Sequence, residues 1–496
     1  MSAEFDFVIV GAGSAGCALA ARLSEDSETS VLLLEAGGKD RSPNIKIPAA
    51  FAKQFRTKLD WNFSSGPEPH LGGRELFVPR GRGLGGSSSM NAMMFTRGRP
   101  LDFDTWREMG CEGWSYEDLL PYFKRLEHNE EGATEFRATG GPVNIASQRD
   151  PRPLTSRFMA AAEAAGIPRN PDVNSPEQDG VTMTPVFQRN GRRWSAADAY
   201  LRPAMKRPNL TVRTGAVVLG VPIEAGRATG VRWSKGSGEE SAEARREVIL
   251  CAGAIGSPQL LMLSGIGPAG HLRELGIEPR VDLPGVGENL QDHPFVTLCF
   301  ESKDTDDLTA AEKPRALIQY LLRRRGPLTS NVGEAMAFIR TRAGLPAPDI
   351  ELIFAPAYYH DHGFDIYDGH AFTLGPALLA PRSRGHLRLR SADPTAKPEI
   401  IGNQLAEPED AASLIAGIRK TREIVNTEPL ASARGQELVP GEEISSDEDL
   451  DAFLRRELEL LYHPAGTCRM GLDEKAASTR NCAFAASADC GWPMPR

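Results

Sequence analysis

FDFVIVGAGSAGCALAARLSEDSETSVLLLEAGG, residues 5–38, decides the fold. FDFVIV, from Phe5 to Val10, is the short apolar run that a parallel strand buried on both faces requires. Gly11, Gly13 and Gly16 follow at once in the spacing GxGxxG. From Ser14 to Ser24, alanine and leucine recur at helical spacing, and SVLLLE, from Ser30 to Glu35, reads as a second buried strand. Strand, tight turn, helix and strand make one βαβ unit. Glycines in that turn let backbone N–H groups approach a pyrophosphate, and the helix N-terminus supplies partial positive charge there. Glu35 ends the second strand, where an acidic residue can bind ribose hydroxyls. The unit predicts dinucleotide binding and does not by itself separate NAD from FAD.

Further along, LTVRTGAVVLGVPIE (Leu210 to Glu224) and REVILCAG (Arg246 to Gly253) read as more strands of the same sheet. The hydrophilic stretch from Ser234 to Arg246 reads as an exposed hairpin tip. From Ser302 to about Leu461 the texture changes: strand-like ELIFAPAYY and helical PEDAASLIAGIRK stand among many prolines. This region is expected to form a second domain, or cap. The fold class expected is therefore α/β: a Rossmann-like nucleotide-binding domain with a second α+β substrate (cap) domain.

The 496 residues carry 57 basic and 66 acidic side chains, a formal net charge of −9, which argues against a dedicated nucleic-acid binder. Apolar residues are 41% and charged residues 25%, which excludes a disordered or fibrous chain. No apolar run approaches the ~20 residues of a transmembrane helix. The start, MSAEFDFVIVGAG, lacks the basic region and long apolar stretch of a secretory signal. Seven cysteines without CxxC pairs fit a reducing cytoplasm better than a disulfide framework or structural zinc. The expected location is cytoplasmic, with association at a membrane surface left open.

A second glycine-rich block, GRGLGGSSSMNAMMFTRG (Gly81 to Gly98), offers close backbone approach and many N–H donors, as a flavin or phosphate site needs. Three more blocks stand out: GAIGSPQLLMLSGIGP (Gly253 to Pro268), GVGENLQDHP (Gly285 to Pro294) and YHPAGTCRMG (Tyr462 to Gly471). With the N-terminal fingerprint ending in LEAGG, these five blocks resemble the glucose–methanol–choline (GMC) family of FAD-dependent oxidoreductases. The resemblance implies an FAD domain assembled from several chain segments: residues 1–301, which include some cap segments, and residues 462–496. A substrate domain at 302–461 would lie between them. It also implies oxidation of an alcohol by hydride transfer to flavin N5, with a quinone or other carrier, rather than O₂, as the favoured acceptor.

Carried over residue by residue, Gly11, Gly13 and Gly16 would hold the FAD pyrophosphate and Glu35 the adenosine ribose. Gly83 and the stretch Asn91, Ala92, Met93 and Met94 would lie along the flavin. Val218 would offer backbone contacts to the adenine. His463 matches the family's active-site histidine. Some relatives attach FAD to a histidine of the glycine–serine loop; here that region reads SSSMN, so non-covalent FAD is expected. The chemistry agrees with the motif, because alcohol oxidation needs the hydroxyl proton removed while hydride leaves, and a neutral imidazole accepts a proton near neutral pH. The substrate expected is a small primary alcohol. Choline is one candidate, although its recognition needs an aromatic cage or a carboxylate.

Other clusters carry plainer readings. His360, Asp361, His362, Asp365, Asp368 and His370 crowd one segment, but their spacing fits no metal template. A polar loop at the substrate entrance is expected there, and no metal site. His293 in QDHP is expected to be structural. Arg323, Arg324 and Arg325 form a short basic cluster, read as solvated or helix-ending.

The resemblance weakens after Gly471. The family continues with a valine–aspartate–proline segment and a stretch like GLRVADAS, which supply flavin contacts and a second catalytic His or Asn. Here the tail reads AASTRNCAFAASADCGWPMPR. Written in GC-rich codons and read from the third base of the Ala477 codon, it becomes VDPQLRVRGVGGLRVADAS. This raises the expectation of a reading-frame shift near Lys475 that replaces the tail and truncates the chain. The tail from about Ala476 is then expected to be poorly packed. One alternative follows, an inactive FAD-binding remnant; the resemblance itself implies another, a lyase that uses FAD structurally.

Overall fold

The apolar run at the N-terminus becomes the strand Ala3–Val10, the helix Ser14–Leu23 and the strand Val31–Glu35 in the computed structural model, which describes residues 3–236 and 238–479. The two strands pair in parallel, with Val8 beside Leu32 and Val10 beside Leu34. Alternate side chains point to opposite faces, and both faces are covered. Val8, Val10, Leu32 and Leu34 join Val231 and Trp233 on one side, while Ile9, Val31 and Leu33 join Cys17 and Ala20 of the helix on the other. This double burial is why the runs are continuously apolar rather than alternating.

The sheet has six strands, in the order Leu210–Thr214, Val31–Glu35, Ala3–Val10, Gly238–Leu250, Gly230–Lys235 and Val217–Gly220. The first four are parallel to one another and the last two antiparallel additions. The expected hairpin is the turn joining Gly230–Lys235 to Gly238–Leu250.

A second, eight-stranded sheet runs Arg434–Val439, Leu298–Ser302, Ala371–Leu378, Ile350–Ala355, Ala335–Ile339 and Gly180–Met183, with Pro294–Phe295 and Glu459–Leu460 joined at its side. Helix Pro408–Val425 lies against it. Its buried face, including Leu414, Ile418 and Val425, shares one core with Phe158, Phe300, Phe354 and Phe372. ELIFAPAYY thus contains a strand and PEDAASLIAGIRK a helix, as their patterns predict. Strands Gly180–Met183 and Leu298–Ser302 bring chain from before residue 302 into this sheet. No helix among the described residues is long and apolar enough to cross a membrane.

The expectation of a poorly packed tail is corrected as far as the described residues go. Ala476, Ala477 and Ser478 are buried, and Ala477 enters the main core cluster. The backbone N–H groups of Ala477 and Ser478 donate to Arg469 O (2.8 and 3.1 Å), and Gly471 N donates back to Ser478 O (3.0 Å). Lys475 O lies so close to Gly285 that a Cβ there would sit 2.2 Å from it. Small side chains and a local backbone ladder seat this segment without any periodic pattern. The rest of the tail, where the family's second catalytic residue is expected to be missing, lies outside the described residues.

Candidate active site

Gly11, at the end of the first strand, has φ +100°, and a Cβ there would lie 2.5 Å from Cys251 O. A Cβ on Gly16 would lie 1.9 Å from Gly11 O. The turn is therefore closed by backbone-on-backbone contact that only glycine permits. The helix that follows starts at Ser14 with Gly13 as N-cap, no side-chain cap and no acidic residue in its first turn. Its leading N–H groups have no intrahelical acceptor, and Ser14 and Ala15 are exposed. This is the cradle a pyrophosphate needs.

Glu35 is buried beside it. One carboxylate oxygen accepts from Ala12 N (2.9 Å), the other from Gly37 N (2.8 Å). Burial raises its pKa against those hydrogen bonds. The Gly83 N–H bonds this carboxylate as well, so of its roughly four lone-pair positions about one is left to accept from a ribose hydroxyl. Ala216 N donates to Glu35 O (2.9 Å), which holds the edge strand Val217–Gly220, and with it Val218, at the same end of the sheet.

The glycine–serine block lies directly on this turn. Gly85 N donates to Ala12 O (2.8 Å), and a Cβ on Gly86 would lie 2.7 Å from Gly13 Cα. Gly83 bridges to Gly38, just beyond Glu35. The block then leads to Asn91, whose side-chain oxygen accepts from Met93 N (3.1 Å) and from Arg193 Nη1 (2.7 Å). Arg193 Nη2 also donates to Asn91 O (2.6 Å). Arg193 is buried, and desolvation pushes it down to about 9. Met93 is fully buried at φ +59°, and Ala92 O accepts from Asn331 Nδ2 (3.0 Å). Met94 packs its sulfur against Gly333. Asn91 itself is exposed, and its amide nitrogen makes no hydrogen bond among the described residues.

His463 arrives from the far end of the chain. Its backbone N–H donates to Asp292 Oδ1 (2.8 Å), which also accepts from His293 N (2.8 Å). Its ring meets the His293 ring edge-to-face at 5.4 Å and 89°. His293 Nδ1–H donates to Leu378 O (2.8 Å), which fixes that ring in place, the structural part expected of it. No described residue hydrogen-bonds the ring nitrogens of His463. The residue is exposed at its surface, yet protein packs closely around its ring. That enclosure, with His293 and Arg80 adding to it, pushes its pKa down to about 3. The imidazole is therefore neutral across the physiological range.

The segment after His463 is tied to the nucleotide cradle. Thr467 Oγ1 donates to Ala254 O (2.6 Å), Gln291 N donates to Ala465 O (3.0 Å), and the guanidinium of Arg80 bonds Tyr462 O. Cys251 and Ala254 thus join Gly11 to the His463 segment. Fingerprint, Glu35 and Gly83 are in contact, Asn91–Met94 continue the same glycine–serine block, and His463 is attached to them through this link. Arg193, Asp292 and Arg80 were not singled out in the sequence. Only Asp292, in QDHP, had a signal within a motif.

The His360–His370 segment divides. Asp361 and His362 line a cavity of about 140 Å³ with Arg56, Arg74, Phe77 and Glu459. Ligand-type atoms of Asp361, His362 and Glu459 lie within 4.8 Å of one another. Burial, with Arg56, His360 and Arg74 adding to it, pushes His362 down to about 3. Burial and the Asp361 charge push Glu459 up to about 8. The Arg74 charge opposes that rise in Glu459, and the Tyr462 hydroxyl bonds His362 Nδ1. His370 instead pairs with Asp307 (3.1 Å).

Comparison with known proteins places this architecture. The GMC oxidoreductase family matches in two parts, N-terminal over residues 5–295 and C-terminal over residues 381–483. A GMC-type oxidoreductase of Mycobacterium tuberculosis is 48% identical over 482 residues, covering 96% of this chain and 91% of the relative. An oxygen-dependent choline dehydrogenase of Sinorhizobium fredii is 44% identical over 477 residues, covering 94% of this chain and 86% of the relative. Among solved structures, pyridoxine 4-oxidase from Mesorbium loti superposes with a TM-score of 0.89 at 33% identity, covering 97% and 92% of the two chains. Formate oxidase of Aspergillus oryzae superposes at 0.91 and 27%, with the same coverage. The C-terminal family match extends past Lys475, to residue 483, and the chain spans 91% of the mycobacterial relative's length.

Proposed function

The chain belongs to the GMC oxidoreductase family and is an FAD-dependent oxidoreductase; from that premise we propose that it oxidises an alcohol to an aldehyde or ketone, with His463 as the base and FAD held non-covalently. FAD, when bound, supplies the acceptor for the hydride that leaves the alcohol carbon. Gly11, Gly13 and Gly16 would hold its pyrophosphate at the uncapped helix start, Glu35 its ribose and the Val218 backbone its adenine. Gly83 and Asn91 to Met94 would lie along the flavin ring, with Arg193 holding Asn91 in position. No histidine or cysteine occurs between Gly81 and Gly98, so that block offers no group of the kind expected to attach flavin.

The observation that carries the reading is the state of His463. Its ring is neutral and unpartnered among the described residues, in a residue exposed at its surface. A neutral imidazole takes the hydroxyl proton on a ring nitrogen, and the Asp292 clamp on its backbone keeps it in place while it does so.

Curated relatives at 44% identity are named for choline, so choline and simple primary alcohols are the first probes. Anaerobic mixing of the flavin-loaded protein with these alcohols should bleach the oxidised-flavin absorbance. His463→Ala should slow bleaching by about 10²–10⁴-fold, with flavin content unchanged and flavin released by acid precipitation. Near-normal bleaching in the variant would remove His463 from the role. A loaded protein that no alcohol reduces, but that cleaves a cyanohydrin, would replace oxidation with lyase chemistry.

A further inference from the structure

We propose that the helix Pro314–Arg323 docks this protein on the surface of an anionic lipid bilayer. The helix has the sequence PRALIQYLLR, and only Ala316 and Tyr320 of its side chains are buried. Leu317, Ile318, Leu321 and Leu322 are 45%, 58%, 58% and 78% exposed. At about 100° per residue these four form one arc, on the side opposite Ala316 and Tyr320. Helices of soluble proteins place such an arc against the core; here it faces outward.

Charge surrounds the arc. Lys313 and Arg315 stand at the start of the helix, and Arg323, Arg324 and Arg325 at its end. Exposed Arg192 lies near the Tyr320 ring. Arg325 pairs with Asp150 (3.0 Å), and Arg324 lies over the Tyr320 ring (4.8 Å). Among the described residues Lys313, Arg315 and Arg323 have no carboxylate partner. Exposed Glu312 stands beside Lys313, but the five cations of residues 313–325 outweigh it, on a chain whose net charge is −9. A macrodipole accounts for a cation or two in the last turn. It does not account for those at the N-terminal end, nor for four bare aliphatic side chains between the two groups.

An apolar arc rimmed by lysine and arginine matches the boundary between acyl chains and anionic headgroups. A second copy of the chain fits less well, because a two-fold contact would set the same cations face to face. The helix is also anchored firmly enough to orient the molecule. The Tyr320 hydroxyl donates to Lys46 O (3.2 Å), and the Lys46 ammonium pairs with Asp40 (3.0 Å) and Asp198 (2.8 Å). Asp40 lies just beyond the Glu35 loop, so docking by this helix would hold the nucleotide-binding domain at a set attitude to the bilayer.

The test is co-sedimentation of the flavin-loaded full chain with vesicles of phosphatidylcholine alone and of phosphatidylcholine mixed with phosphatidylglycerol. Binding should favour the mixed vesicles by about tenfold or more and weaken with added salt. Leu321→Ser with Leu322→Ser, and separately Arg315→Ser with Arg323→Ser, should each weaken it by about tenfold. Both double variants should keep the parent's flavin content and far-ultraviolet circular dichroism. Failure of the parent to sediment with the anionic vesicles would overturn the proposal, as would variants that sediment like the parent. A parent dimer in sedimentation velocity that becomes monomeric on losing the two leucines would overturn it in favour of self-association.

Discussion

Asp292 holds two histidine backbones on one oxygen. Oδ1 accepts from His293 N and His463 N, while Oδ2 is buried with no hydrogen-bond partner among the described residues. Burial raises its pKa to about 6, against the nearby charge of Arg80 and the two N–H groups. Because the folded value lies above the ordinary 3.8, the folded state holds a proton that the unfolded chain releases. The stability this contributes is full below the unfolded value and is lost as pH rises through about 6. Asp292→Asn keeps an oxygen for both N–H groups and carries no charge at any pH. Its stability relative to the parent should therefore rise from about pH 4 to pH 8, by roughly 3 kcal/mol. Melting temperatures of the two flavin-loaded proteins across that range measure this, and a constant offset would count against a titrating carboxylate. His463 stands out in the sequence because the motif around it is local. The part played by Asp292 was not, because it depends on an N–H 171 positions away, which no local pattern encodes.

At the scale of elements, the opening βαβ unit was readable because its signals are local. Two apolar runs, a glycine turn and a helical repeat lie within 5–38, and each is required by burial or by backbone contact. Gly16→Ala would force Cβ to within 1.9 Å of Gly11 O, a backbone atom that cannot move aside, so the helix could not start where it does. Gly13→Ala meets nothing closer than 3.8 Å, at an ordinary φ of −72°. The flavin-to-protein ratio of Gly16→Ala should fall by about tenfold or more, with part of the protein insoluble. Gly13→Ala should keep the parent's circular dichroism. Equal behaviour of the two would show that steric closure of the turn is not what matters. Strands such as Gly180–Met183 and Glu459–Leu460 were invisible in the sequence. Each has only two to four residues, and each exists because a distant strand supplies its hydrogen bonds.

Across the whole molecule, the second sheet takes chain from both sides of residue 302, whereas the first is built entirely from chain before it. The fold class was legible, since parallel-strand runs at one end and mixed strands and helices after residue 302 differ in composition. The threading was not, since Leu298–Ser302 and Gly180–Met183 belong with chain that comes later. The second sheet's core is centred on stacked aromatic rings. Phe158, from helix Pro153–Ala164, lies parallel to Phe354 at 4.7 Å and 4°, and Phe354 meets Phe372 at 5.8 Å. Phe158→Ala should destabilise the protein by about 3–5 kcal/mol, read as a lower denaturation midpoint with an unchanged slope. A loss below about 1 kcal/mol would mean that the surrounding core collapses to fill the space. The strand order of the first sheet has a consequence in time. Ala3–Val10 leaves the ribosome early, but its neighbour on one side is Gly238–Leu250. At roughly 5–20 residues per second, that partner follows after on the order of ten to fifty seconds. Until then the nascent chain presents an apolar strand with one edge unpaired, a template for association with other chains. Translational pauses between residues 35 and 238 would prolong that exposure, and a chaperone acting on this protein has the most to protect during that interval.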